Sequence, residues 1–228
     1  NTAQTVTLTG VNDTDRDRNQ AFRISLSAAD QFIENPEVTT LAGSGSSGSA
    51  NGTGTSATFK YPRGITTDGT NLYVADKSNH TIRKIVISTG AVTTLAGSGT
   101  AGSTDTTGTA AKFYYPRGIT TDGINLYVAD THNHKIRKIV ISTGAVTTFA
   151  GSGSYGSTDG TGTSAKFYYP RGIITDGTNL YVADTSNHRI RKIVLSTGVV
   201  TTLAGSGASG STDGAGTSAT FKNPRGII

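Results

Sequence analysis

The sequence predicts an all-β fold, a β-propeller of four-stranded blades, on two observations. The first is a period. Pro62, Pro116, Pro170 and Pro224 stand 54 residues apart without a slip, and Val38, Val92, Val146 and Val200 keep the same step. Self-similarity at a fixed period of this size marks a repeat architecture. The second is that each segment between punctuating Gly and Pro residues is short and strand-like, with no 3.6-residue apolar period. Four short antiparallel strands per period are the content of one propeller blade.

The elements follow in order within the unit that opens at Pro62. Gly64 to Thr67 is a short β-branched run, and Asp68-Gly69 marks a turn. Asn71 to Ala75, NLYVA, alternates Leu72 and Val74 on one face with Tyr73 on the other. Asp76 to His80 is a polar turn. Ile82 to Ser88 is a third strand, Thr89-Gly90 turns again, and Val92 to Leu95 is a fourth. A Gly/Ser/Thr stretch such as residues 97–116 then leads to the next unit. A structureless loop of that length is uncommon in a compact domain, so it is either functional or pinned. Phe59, Phe113, Phe167 and Phe221 recur just before the prolines as apolar pegs for it.

Composition agrees and narrows the function classes. Thirty glycines and only 15% charged residues make a turn-rich, β-leaning chain. The absence of cysteine excludes disulfides, thiolate chemistry and zinc–thiolate sites. No apolar run is long enough to span a membrane. The net charge of +5 is spread through the repeats, with isolated Arg-Lys pairs and no run of the clustered Lys and Arg of a nucleic-acid footprint. The chain opens on Asn1 and is expected to be processed or partial.

The pattern P-R-G-I-x-x-D-G-x-N-L-Y-V-A-D-x-x-N-H-x-I-R-K-I resembles the NHL repeat. The T-L-A-G-S-G…D-G-x-G-x-x-A-x-F stretch is similar to the form found in secreted and surface bacterial proteins. The resemblance covers about residues 38–228. It implies β-propellers, usually six-bladed, that mostly act as binding surfaces, with a few enzymes among them. Residues 38–228 divide into units 38–91, 92–145, 146–199 and a partial 200–228, about three and a half blades where closed rings typically take about four to eight. Three expectations remain open: a piece of a longer protein, several chains completing one ring or filament, or an open array.

Residues 1–27 predict a β-hairpin, with alternating arms at Thr5–Val11 and Ala21–Ser27, and residues 28–37 a linker. The hairpin resembles the end of a Calx-β-like surface β-sandwich repeat; alone it is a strand-exchange candidate, since two strands rarely hold together in water. Asp13, Asp15 and Asp17 alternate in its loop, the pattern a Ca²⁺ site favours. Arg16 and Arg18 are interleaved, and an Arg-paired solvated turn is the competing reading. Calcium is the one cofactor the sequence raises.

Two sets of polar residues recur in every unit. Asp76 and His80 return as Asp130 and His134, and as Asp184 and His188. A His four residues after a carboxylate suits a general base and its orienter, or a metal ligand and its support. Identical copies in each unit favour scaffolding, with Asp accepting turn N–H groups and His bonding across the turn between strands two and three. Arg63, Arg117, Arg171 and Arg225 form the second set. They suit anionic ligands around a rim, or ion pairs between blades with Asp68- or Asp76-type residues; one fixed charge of each sign per unit favours pairing. Arg83-Lys84 and its copies point to opposite faces of a strand, one of each pair at the surface. His132, where other units have Ser78 and Ser186, and Tyr155, where Ala101 stands, build no constellation by spacing.

The expected function is a non-catalytic extracellular scaffold of a bacterial surface, self-associating or binding other surface proteins, and a subunit of a repetitive assembly or filament. The alternative is a ligand-binding propeller for glycan, peptide or nucleic acid, nucleic acid being the least favoured. A metal-centred lactonase- or lyase-type propeller is third, because its ligands would have to differ between blades.

Overall fold

The structure, a computed structural model, describes residues 38–228 together with strands β1 (Val6–Leu8) and β2 (Phe22–Ile24). The chain forms two compact units, Asn1–Thr39 and Thr40–Ile228. In the first, β1 runs antiparallel to β2 with Val6 opposite Ile24, within the two arms of the expected hairpin. Asp13, Asp15, Asp17 and the linker at 28–37 lie outside the described residues, and the calcium expectation lies there with them.

The second unit holds three antiparallel sheets, one per repeat. The first contains β3 (Gly52–Thr53), β4 (Ile65–Thr67), β5 (Asn71–Asp76), β6 (Thr81–Val86) and β7 (Ala91–Ala96). The second contains β8 (Pro116–Thr121), β9 (Asn125–Asp130), β10 (Lys135–Val140) and β11 (Val146–Ala150). The third contains β12 (Gly160–Thr161), β13 (Pro170–Thr175), β14 (Asn179–Asp184), β15 (Arg189–Val194) and β16 (Val199–Ala204). Each is a meander of four strands in chain order. In the first and third sheets the long loop adds a two-residue fifth strand on the outer edge, β3 beside β7 and β12 beside β16.

Turn chemistry fixes the hairpins. Asp68 Oδ1 accepts the N–H groups of Thr70 and Asn71, and its Oδ2 accepts the Tyr73 hydroxyl at 2.7 Å. Burial and the adjacent Asp68 carboxylate push the Tyr73 phenol up to about 12. The polar turn after β5 is one 3₁₀ turn, Lys77–Asn79, closed by His80 in the left-handed region at φ 56°. His134 and His188 close the same turn at φ 55°.

The core lies between consecutive sheets. Tyr73, Ala75 and Ile82 of the first meet Phe113, Ile119, Leu126 and Val128 of the second. Tyr127, Ala129 and Ile136 on its other face meet Phe167, Ile173, Leu180 and Val182 of the third. The middle sheet is therefore covered on both sides, which is why NLYVA carries apolar residues at consecutive positions. Each large side chain buried this way contributes about 1.5–3 kcal/mol.

Two further devices set the geometry. The long loops are pinned: Phe113 and Phe167 are fully buried, and parallel bridges join Ala101 to Phe113 and Tyr155 to Phe167. The inner strands of neighbouring sheets touch through glycine. A Cβ on Gly118 would lie 2.1 Å from the Arg171 carbonyl oxygen, and one on Gly64 2.3 Å from that of Arg117, so only glycine fits without a backbone shift.

Candidate functional site

The repeated polar residues separate into an outer clamp and an inner cluster. In the clamp, Asp130 is completely buried and Arg137 Nη1 donates to its Oδ2 at 2.8 Å. Asn133 donates to the same oxygen at 2.8 Å, and the Tyr114 N–H donates to Oδ1 at 2.8 Å. Asp184 repeats the set with Arg191, Asn187 and the Tyr168 N–H, and Asp76 with Arg83, Asn79 and the Lys60 N–H. Burial pushes the Asp130 and Asp184 carboxyls up, with their donors and arginines pulling the other way.

The arginine of this clamp continues into the loop. Arg137 Nη1 also donates to the Lys112 carbonyl, and Nη2 to the Thr104 carbonyl and the Asp105 carboxylate. Its guanidinium carbon lies 5.0 Å from the centre of the Phe113 ring. In the first unit Asn51 takes the place of Asp105, accepting from Arg83 Nη2 at 2.9 Å. The long loop is thus held by one buried arginine per unit.

Two sequence expectations change here. Asp76, Asp130 and Asp184 accept no backbone N–H of the turn; each accepts the side-chain N–H of the turn's Asn and a backbone N–H from 16 residues earlier, at the end of the long loop. Nor do His80, His134 and His188 bond across their own turn. Their Nδ1 atoms accept the N–H groups of Tyr115, Tyr169 and Asn223 in the following unit, at 3.1, 3.2 and 3.1 Å. The histidines tie repeat to repeat, which the sequence could not show because the partner is a backbone group 35 residues away. Burial holds the His80 and His134 imidazoles below the ordinary histidine value.

The inner cluster is formed by Arg63, Arg117, Arg171 and Arg225. They line one concavity of about 430 Å³ with the glycine and isoleucine that follow each of them. A β-bulge in β8 inserts one extra residue between Pro116, opposite Asp130, and Ile119, opposite Val128. A bulge re-aims the side chains it carries, and β13 repeats it around Arg171. The carboxylates proposed as ion-pair partners are engaged elsewhere: Asp76 with Arg83, and Asp68 with Asn71 and Tyr73. Among the described residues no carboxylate forms a salt bridge with any of the four. Burial, then the charges of Arg171, Arg63 and Arg225, brings the Arg117 guanidinium down to about 10.

Two departures from the repeat pattern, Lys77 and His132, lie beside this cluster. The Lys77 ammonium sits 4.9 Å from the centre of the Tyr115 ring, where the other units have Thr131 and Thr185 bonded to the Pro170 and Pro224 carbonyls. His132 packs against Tyr114, Tyr115 and Tyr169 at 4.8–5.0 Å. Burial and the charges of Arg117, His134, Lys77 and Arg171 lower it to about 4. Tyr155 packs on Tyr168 at 5.2 Å. His132 and Tyr155 therefore do join aromatic clusters, through neighbours that spacing within one unit does not reveal. Among the described residues no group of three or more His, Asp or Glu side chains is placed to hold a metal ion.

The family model for the NHL repeat matches residues 113–139, from the loop phenylalanine of the second sheet through β10. That stretch of the chain is an NHL repeat. The human NHL repeat-containing protein 2 is 36% identical over 163 residues, 64% of this chain and 22% of the relative. The Arabidopsis thaliana protein SUPPRESSOR OF QUENCHING 1, chloroplastic, is 34% identical over 172 residues, 69% of this chain and 16% of that protein. The chain thus spans about a fifth of the length of these relatives. An auxiliary nutrient binding protein from Bacteroides thetaiotaomicron shares the fold with a TM-score of 0.60 at 21% identity, over 75% of this chain and 43% of that one. Its counterpart from Bacteroides ovatus gives 0.57 at 22%, over 75% and 44%. The propeller-type all-β fold expected from the repeat is the observed one. Among the described residues no helix is long and apolar enough to cross a membrane.

Proposed function

We propose that this chain is a non-catalytic binding and interaction scaffold of a bacterial cell surface, working by presenting repeated blade faces. One observation carries the reading. The Asp–His pair that the sequence offers for catalysis is engaged in every unit by the same internal bonds, Asp to Arg and Asn, and His Nδ1 to the next unit's backbone. The Asp carboxylates and the His Nδ1 lone pairs are thereby committed to internal donors, whereas a general base needs a free lone pair aimed at its substrate.

Self-association is the form of interaction the geometry favours. Ile119 and Ile173 are each 5% exposed because the preceding sheet covers them, whereas Ile65 of the first sheet is 59% exposed. A blade of a second copy, built to the same pattern, fits that face. Size-exclusion chromatography with light scattering tests this: concentration-dependent oligomers are expected, and a monomer at all concentrations removes the assembly reading. A low-resolution image then distinguishes ring, fibre and string. The inner arginines favour a second activity, ligand binding.

A further inference from the structure

Four guanidinium groups, one from each repeat, face a single concavity, and like charges at such a point repel. They gather there although Arg83, Arg137 and Arg191, the same residue type in the same repeats, are each given a buried carboxylate. The Nε atoms of Arg117 and Arg171 are buried with no hydrogen-bond partner, as are those of Arg83, Arg189 and Arg191, so what sets the inner arginines apart is the missing carboxylate. An unmatched buried donor on a charged group costs about 1–3 kcal/mol or more. Lys77 adds a fifth cation close enough to be lowered, after burial, by Arg117, Arg63 and Arg171. The concavity also lies within the ordinary size range of a small-molecule site, about 300–1,000 Å³.

Arginine forks match the planar or tetrahedral oxygens of carboxylate and phosphate two bonds at a time. The backbone behind them is fixed: glycine contact sets the spacing of neighbouring inner strands, and bulges aim Arg117 and Arg171. Such a preorganised, multiply positive concavity needs negative oxygens spread over more than one group. The isoleucine side chains between the arginines add no counter-charge to the lining.

We propose that this concavity binds a small multivalent oxyanion, a molecule carrying two or more phosphate or carboxylate groups, through Arg63, Arg117, Arg171 and Arg225. The site deepens the binding half of the function proposed above and is independent of its assembly half.

Isothermal titration of the whole chain with tripolyphosphate and, separately, with citrate at about 50 mM salt tests it. Saturable binding of at least one probe is expected, and which one binds separates phosphate from carboxylate ligands. Arg117→Gln and Arg171→Gln should each weaken that binding about tenfold or more. Arg189→Gln removes the same charge from a residue that donates to the Ser206 carbonyl away from the concavity, and should change affinity less than about twofold. Arg117→Lys, which keeps the charge but not the fork, should fall between and stands in if the Gln variant fails to fold. Silence from both probes overturns the proposal, as does equal weakening by Arg189→Gln and Arg117→Gln, or retention of RNA with neither probe bound. Light scattering on the same samples keeps the two ideas apart: lost assembly with intact binding overturns only the scaffold, and the reverse overturns only this site.

Discussion

Arg137 and Arg117 stand 20 residues apart in the same repeat, yet they live in opposite electrostatic situations. Arg137 is fully buried between Asp130, the loop carbonyls and Asp105, with Phe113 under its plane. Arg117 is half-buried, faces three other arginines and has no carboxylate partner among the described residues. Both sit beside a β-bulge, and both recur every 54 residues. Periodicity therefore does not separate a structural arginine from one left available; the partner does. A buried charge with its counter-charge in place is a strut, whereas a cluster of one sign is a receptor that lacks its other half.

The comparison breaks most sharply at the clamp. Arg137→Ala leaves Asp130 buried without its counter-charge and should cost about 3–5 kcal/mol. Urea unfolding measures it, and a cost near zero would mean that the loop is held by other groups. Gly118→Ala forces two inner strands apart and should cost about 1–3 kcal/mol, read in the same way. It should also loosen oxyanion binding, because Arg117 and Arg171 shift with those strands.

Acid comes next. Folding holds His80, His132 and His134 below their ordinary pKa, so between about 6.5 and the folded values the unfolded chain binds more protons than the folded one. The histidine contribution is then full above pH 6.5 and declines as pH falls toward about 4, the folded value of His132, while Asp130, raised to about 6, and Asp184 contribute in the opposite sense. Thermal midpoints at pH 7 and pH 5 check this. His132→Ser, the residue of the other units, should flatten the profile; an unchanged profile would assign the effect to other groups. Asp105→Asn should cost less than about 1 kcal/mol, since its carboxylate is 42% exposed and Asn51 already fills that place in the first unit. The smallest effect is expected at the inner cluster. Arg117→Gln should move stability by no more than about 0.5 kcal/mol, or raise it by relieving repulsion. A loss as large as that of Arg137→Ala would make the two arginines alike and end the comparison.

The strands, the turns at Asp68-Gly69 and Thr89-Gly90 and the docking phenylalanines were legible because each follows from local pattern: alternation, turn chemistry, a large apolar residue beside proline. The pairing of the arginines was not. Alternation along a strand assigns faces only while the register holds, and a bulge beside Arg117 and another beside Arg137 shift it. The partner of His80 is a backbone N–H in the next unit, and backbone groups leave no mark in the sequence. Nor does spacing within a unit bring His132 to Tyr169, 37 positions on and across the boundary between sheets.

Gly64, Gly118 and Gly172 of the P-R-G triplets have a consequence for how such a molecule can grow. With a carbonyl oxygen of the neighbouring strand where a methyl group would be, the angle between successive wedges is dictated by bare main chain and is indifferent to what decorates the outer faces. Wedges can be copied, lost or redecorated by tandem duplication while the curvature of the stack stays constant, and every copy delivers one more positive charge to the axis.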